Sequence, residues 1–218
     1  MSFNRAQHVQ IAKATTYKAV IYDCDGVMFD SFNANLRFYQ RIMEIMGRQP
    51  LDIADEEHMR VLHTFANREV LAYFFPEPSE FRSAVAAASS IDYRELVPFM
   101  TMEEGFRDTL DALSGRVELA VCTNRSTSMD MVLESFGLTS YFGCVMTASK
   151  VANPKPHPEP LLRVLDHYGI APCEAMFVGD SEVDMLAAEA AGVPFVAYKA
   201  DFSSLARIDR HQEIMALL

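Results

Sequence analysis

Ala19-Val20-Ile21-Tyr22-Asp23-Cys24-Asp25-Gly26-Val27 is the stretch that decides the fold. Four apolar residues, too few for a helix and bounded by acids and a glycine, predict a strand buried on both faces. Comparable runs follow. Val117-Glu118-Leu119-Ala120-Val121-Cys122 leads into Thr123-Asn124, Cys144-Val145-Met146-Thr147 is a weaker third, and Ala175-Met176-Phe177-Val178 leads into Gly179-Asp180. Pro194-Phe195-Val196-Ala197-Tyr198 is a fifth. Between the later runs lie helix-like stretches, from Glu104 to Leu113, Ser126 to Phe136, Pro158 to Tyr168 and Ser181 to Ala191. Gly137, Gly169 and Gly192 stand where the last three should end. Strands alternating with helices in this way predict a parallel α/β sheet.

The rhythm breaks between Ser31 and Thr101. Leu36, Tyr39, Ile42, Met43 and Met46 repeat at helical spacing, and further helix-like stretches cover Ala54 to Phe74 and Ser79 to Ala88. Asp55 is placed to cap the second of these helices. No strand interrupts the pattern, so residues 31–101 are expected to form a helical insertion that leaves the sheet after its first strand and rejoins it near Met102. Residues 1–16 are expected to be a tail or an extra helix.

Composition limits the classes of function. The chain has 218 residues, 50% of them hydrophobic and 22% charged, enough to bury a core and outside the range of disordered chains. Its net charge of −11 opposes binding to a nucleic-acid backbone or an anionic membrane, so neither is expected as a partner. An anionic substrate would need local positive groups to hold it against this field. No run approaches the roughly 20 apolar residues of a membrane span. The polar N-terminus lacks the apolar core of a secretory signal. Cys24, Cys122, Cys144 and Cys173 form no C-x-x-C pair and read as small hydrophobes in a reducing compartment. A cytoplasmic location is expected.

Ligands of open α/β sheets sit at the carboxyl ends of the strands, and the chemically informative residues fall there. After the first strand, Asp23 and Asp25 stand two apart, spaced for one to act as nucleophile and the other as general acid and base. Gly26 permits the turn and a close backbone approach to an anion. The start of a calcium loop has similar spacing, but the remaining ligands of such a loop do not follow. After the second strand, Thr123 and Asn124 offer a hydroxyl, an amide and helix-start N–H groups to a phosphate, or simply cap a helix. In Asn153-Pro154-Lys155-Pro156-His157-Pro158-Glu159-Pro160, four prolines hold Lys155 in a rigid loop. A lysine fixed in this way can balance charge on a nucleophile and a phosphoryl group. In Gly179-Asp180-Ser181-Glu182-Val183-Asp184, Asp180 and Asp184 lie one helical turn apart. Carboxylates so placed suit a hard cation such as Mg²⁺, though acids also favour a helix start on their own account.

D-x-D-G, then T-N, then K-P, then G-D-x-x-x-D, each at or just after a strand end, resembles the four-motif pattern of the haloacid dehalogenase superfamily over Ala19 to Ala197. The segments from Asp23 to Ser31 and from Lys155 to Pro160 are similar to the superfamily's phosphoglycolate-phosphatase-like and β-phosphoglucomutase-like branch. The resemblance implies a Rossmann-like parallel core over residues 17–30 and 102–218, with an inserted all-α cap over 31–101. It implies that Asp23 attacks phosphorus to form an aspartyl-phosphate. Asp25 then protonates the leaving oxygen and later activates water. Phosphate oxygens would be held by Gly26, Thr123, Asn124 and Lys155. Mg²⁺ would be held by Asp23, Asp180 and the backbone carbonyl of Asp25, with Asp184 supporting the metal or orienting Lys155. The expected activity is Mg²⁺-dependent hydrolysis of a small phosphomonoester, phosphoglycolate or a sugar phosphate.

Other chemistries of the superfamily fit less well. Dehalogenases lack the second carboxylate, which is present here as Asp25. Phosphonoacetaldehyde hydrolases use a cap lysine, and no lysine occurs between Lys18 and Lys150. The mutases carry a histidine where this chain has Asn35, and they also use a cap lysine. A β-phosphoglucomutase-like mutase or a phosphotransferase with the same intermediate, or a non-catalytic phosphate-binding protein, remains an alternative reading. Any of the cap arginines Arg37, Arg41, Arg48, Arg60, Arg68, Arg82 and Arg94 could contact a substrate carboxylate, though most are expected to pair with helix acids, as Arg41 with Glu44. Phe32, Asn33, Asn35 and Phe38 could face the leaving group, the aromatics otherwise packing within the cap.

Overall fold

The computed structural model describes residues 16–64 and 67–218. The expected N-terminal tail or helix lies almost wholly outside these residues. Six strands form one parallel sheet: β1 (Ala19–Tyr22), β4 (Glu118–Thr123), β5 (Cys144–Thr147), β6 (Ala175–Gly179), β7 (Phe195–Tyr198) and β8 (Ala206–Ile208). Their order across the sheet is β5-β4-β1-β6-β7-β8, and every neighbouring pair is parallel. β1 is central. The chain builds outward from it to one side through β4 and β5, then crosses to the other through β6, β7 and β8. That reversal opens a crevice at the carboxyl ends of β1, β4 and β6, where an open α/β sheet binds its ligands.

Both faces of the sheet are covered, so its central strands are apolar throughout. Val20, Tyr22, Leu119, Val121, Met176 and Val178 point to one face. There they meet α5 (Phe106–Leu113), α6 (Met129–Ser135) and the 3₁₀ turn His211–Ala216. Ile21, Ala120, Cys122 and Phe177 point to the other, against α7 (Glu159–Tyr168) and α8 (Glu182–Ala191). Cys24, Cys122 and Cys144 are buried with a free thiol, as expected of small core residues, while Cys173 is exposed.

The insertion is helical: α1 (Phe32–Ile45), α2 (Glu56–Thr64), α3 (Asn67–Phe74) and α4 (Pro78–Ser90), followed by two 3₁₀ turns, Tyr93–Glu95 and Val97–Phe99. It has its own apolar cluster, including Ile42, Val61, Val70, Phe75 and Ala84. Asp55 accepts hydrogen bonds from the backbone N–H groups of Glu57 and His58 and so caps α2. Where the chain leaves and re-enters the core, β2 (Phe29–Asp30) pairs antiparallel with β3 (Thr101–Met102). Two residues per strand carry no readable periodicity, which is why this ribbon went unexpected. β8, three residues long at the sheet edge, escaped for the same reason. α6 starts at Met129 rather than near Ser126, and α5 at Phe106, after Gly105.

Among the described residues, no helix is long and apolar enough to cross a membrane.

Candidate active site

Three adjacent central strands deliver the side chains. Asp23 follows β1, and its backbone N–H donates to the Val178 carbonyl at 2.9 Å, so the strand geometry persists up to the carboxylate. Thr123 ends β4, and Asp180 follows β6. Ser181 caps α8 in a reciprocal box with Asp184, which turns the Asp184 carboxylate back toward the sheet.

Lys155 arrives from the proline-rich loop with a cis peptide bond to Pro156. Its side chain is only 3% exposed. Nζ donates to Asp23 Oδ1 at 2.7 Å and to Asp184 Oδ1 at 2.5 Å, leaving a third N–H, and it lies 5.3 Å from the centre of the Phe177 ring. Asn124 holds the backbone of this lysine. Its side-chain N–H donates to the Lys155 carbonyl at 2.9 Å, and its side-chain oxygen accepts from the Lys155 N–H at 3.1 Å. The Asn124 side chain thus commits its oxygen and one of its two N–H groups to Lys155. Thr123 is buried, and its Oγ accepts from the Arg125 N–H at 3.1 Å, which leaves the hydroxyl proton to donate.

Oxygen atoms of Asp23, Asp180 and Asp184 lie within 4.8 Å of one another. Three carboxylates against one ammonium leave two negative charges, the charge that one divalent cation neutralises. Oxygen donors of this kind match a hard cation such as Mg²⁺. Without a cation the cluster is electrostatically costly. Burial and the Asp184 charge push the pKa of Asp23 up to about 8. The same two causes push Asp180 up to about 7. For Lys155, burial opposes the charge, but Asp184 and Asp23 outweigh it and raise the pKa, so the ammonium persists. Gly26 has φ +80°, and a Cβ built on it would sit 1.9 Å from Asp180 Oδ2. Glycine is thus required twice here, for the turn and for room beside Asp180.

Asp25 stands apart from this cluster. Its carboxylate is gripped by Arg125, with Nε 2.7 Å from Oδ2 and Nη2 2.5 Å from Oδ1. Burial works against the charged form of Asp25, but the charge and hydrogen bonds of Arg125, with help from the Ser31 hydroxyl, hold its pKa below the usual value. Sequence reasoning passed over Arg125. Its only signal was adjacency to Thr123-Asn124; its partner lies 100 residues away. Several cap arginines are committed elsewhere. Arg37 and Arg41 reach Glu44, Arg48 reaches Glu80, Arg60 reaches Glu57 and Arg94 reaches Asp92. Arg68 lies over the Phe81 ring.

Comparison with known proteins agrees with this geometry. The profile of the haloacid dehalogenase-like hydrolase family matches residues 20–198. A phosphoglycolate phosphatase of Shigella boydii is 34% identical over 175 residues, 78% of this chain and 61% of that protein. This chain thus spans about three fifths of the length of that curated relative. A crystal structure of a superfamily hydrolase of subfamily IA from Geobacter sulfurreducens is 70% identical, with a TM-score of 0.83 over 93% of this chain and 96% of that one. CbbY from Rhodobacter sphaeroides, solved with phosphate, shares the fold at 20% identity, with a TM-score of 0.75 over 93% of this chain and 99% of that one. The ordered motifs, the parallel sheet with its helical insertion and the profile match agree: this chain belongs to the haloacid dehalogenase-like hydrolases.

Proposed function

We propose that this protein is a Mg²⁺-dependent phosphatase of small phosphomonoesters, with phosphoglycolate or a sugar phosphate as its substrate class. The observation that carries the reading is Lys155, nearly sealed from solvent and bonded to both Asp23 and Asp184 at the edge of the three-carboxylate cluster. A buried lysine bonded to two carboxylates aims them, and together with a bound cation it would keep Asp23 ionised, as a carboxylate nucleophile requires.

In this reading, Asp23 attacks phosphorus. An Asp23–phosphorus bond forms as the ester P–O bond breaks, and the leaving oxygen takes a proton from Asp25. Water then attacks the aspartyl-phosphate, Asp25 accepts the water's proton, and the Asp23–phosphorus bond breaks to release phosphate. The Thr123 hydroxyl, the backbone at Gly26 and Asn124, and the third N–H of Lys155 bind phosphate oxygens. Asp23, Asp180 and the Asp25 carbonyl would hold Mg²⁺, with Asp184 keeping Lys155 in line. When bound, the cation supplies positive charge that lets a dianionic ester approach a carboxylate. Residues 31–101 act as a cap that excludes bulk water and contacts the leaving group. The protein works in the cytoplasm, where its thiols stay reduced.

The test is phosphate release from a panel of small phosphomonoesters, with and without Mg²⁺, beside Asp23→Asn. Release that needs Mg²⁺ and disappears in the variant is the expected result. Release undiminished in Asp23→Asn overturns the mechanism. Transfer to an added alcohol or sugar in preference to water would reassign the protein as a phosphotransferase or mutase.

A further inference from the structure

Arg125 is the most enclosed guanidinium in contact with the proposed machinery, and no motif of the family reading gives it a role. It sits just beyond β4, and its side chain is 7% exposed, whereas its partner Asp25 is 35% exposed. Nε and Nη2 each engage one Asp25 oxygen, a two-pronged grip that fixes both the position and the plane of the carboxylate. Nη1 turns the other way, donating to the Tyr93 hydroxyl and, at 3.4 Å, to Ser128 Oγ. The guanidinium also lies 4.9 Å from the centre of the Tyr93 ring. Its backbone is tied down as well, since its N–H donates to Thr123 Oγ.

The buried partner sets the geometry for the more exposed one. A carboxylate on a single methylene can rotate freely. A guanidinium held on one edge by Tyr93 and Ser128 and on the other by Asp25 cannot. Tyr93 comes from the 3₁₀ turn through which the helical insertion returns to the core, so the grip on Asp25 is braced by the insertion itself.

We propose that Arg125, braced by Tyr93, is the positioning residue for Asp25, fixing the carboxyl group that delivers the proton to the leaving oxygen. The inference rests on the phosphatase reading, in which a proton carried on an Asp25 lone pair that Arg125 leaves free passes to the ester oxygen as the P–O bond breaks and the bond from Asp23 to phosphorus forms; the carboxylate left behind is the form the guanidinium holds best. Proton delivery matters to a basic alkoxide leaving group and little to a nitrophenolate. A misplaced Asp25 should therefore penalise alkyl esters selectively.

The experiment measures kcat/KM of the full chain with Mg²⁺ for p-nitrophenyl phosphate and for the best alkyl phosphate of the panel. Wild type, Arg125→Ala, Arg125→Lys and Tyr93→Phe are compared. In Arg125→Ala the ratio of aryl to alkyl kcat/KM should rise at least about tenfold, since general acid catalysis typically contributes a hundredfold or more. Arg125→Lys keeps the charge but not the two-pronged grip and should shift the ratio in the same direction, as should Tyr93→Phe to a smaller degree. Should Arg125→Ala fail to fold, the other two variants carry the test. An unchanged ratio, with both esters slowed equally, overturns the proposal and assigns Arg125 a purely structural part. If wild type hydrolyses neither ester, the phosphatase reading itself fails and this inference falls with it.

Discussion

Asn124 and Lys155 are joined by two hydrogen bonds between one side-chain amide and one residue's backbone, although they come from separate loops 31 residues apart. The lysine that meets Asp23 is thus anchored at its backbone by the loop after β4. Replacing Asn124 with Ala removes both bonds and leaves two part-buried backbone groups to find water. At about 1 kcal/mol for each bond, the loss should come to roughly 1–3 kcal/mol of stability. Phosphate release should fall more than stability does, because Lys155 loses its register. Thermal unfolding and steady-state kinetics on the same variant check both expectations.

Gly26 leads to a second expectation. Alanine there must adopt a left-handed backbone at a cost of about 1–3 kcal/mol. Its methyl group would also displace the Asp180 carboxylate. Gly26→Ala should therefore need more Mg²⁺ for half-maximal activity than wild type. A Mg²⁺ titration of phosphate release, matched to a melting curve, separates this effect from general destabilisation.

The raised pKa values of Asp23, about 8, and Asp180, about 7, predict how the metal-free protein responds to pH. Both lie above the unfolded value near 4, so the folded state binds the extra protons, and stability declines as pH rises from about 4 to about 8. Between pH 6.5 and 8 the melting temperature without metal should fall. Stabilisation by Mg²⁺ should grow over the same interval, because the cation takes over the role of the protons. Melting temperatures with Mg²⁺ and with chelator at the two ends of that window are the measurement. No growth in Mg²⁺ stabilisation would count against a cation at this cluster.

His211 gives the opposite slope at lower pH. Fully buried, it engages the Val27 carbonyl at 2.9 Å and stacks on Tyr198 behind the loop that follows β1. Burial lowers its pKa to about 4, so the neutral ring is the one that fits. Its contribution is complete above about pH 6.5 and is lost as pH falls through 4. His211→Ala should cost about 2–4 kcal/mol, from the cavity and the unpaired carbonyl together. It should also flatten the decline in melting temperature on the acid side. Melting curves of both proteins from pH 4 to 7 check this.

The central sheet was legible in sequence because its strands are short apolar runs, each ended by polar chemistry. Asp23, Lys155 and Asp180 stood out because family motifs and strand ends coincide at them. What escaped depends on partners distant in sequence. Arg125 meets Asp25 only after the sheet aligns β1 with β4, and no local pattern encodes that meeting. Asn124 was expected beside a phosphate with its backbone among the groups that hold it; its two side-chain bonds to Lys155, from the distant proline-rich loop, had no local signal. The β2–β3 ribbon is too short to show a period, and only the pairing of its two halves defines it.

That ribbon makes the chain modular. Phe29 faces Met102 and Asp30 faces Thr101, so the insertion departs and returns at directly opposed positions. Paired antiparallel residues sit only about 5 Å apart. As far as backbone geometry is concerned, the core sees a tight hairpin whose tip has been expanded into a helical unit. Helices of different length or sequence can be grafted at that seam without altering the sheet that carries Asp23, Thr123 and Asp180. On the proposed function, the residues that carry the chemistry and the insertion that would select the substrate can therefore diverge at independent rates. Tyr93, reaching back to Arg125, is a contact that any exchanged insertion would have to reproduce.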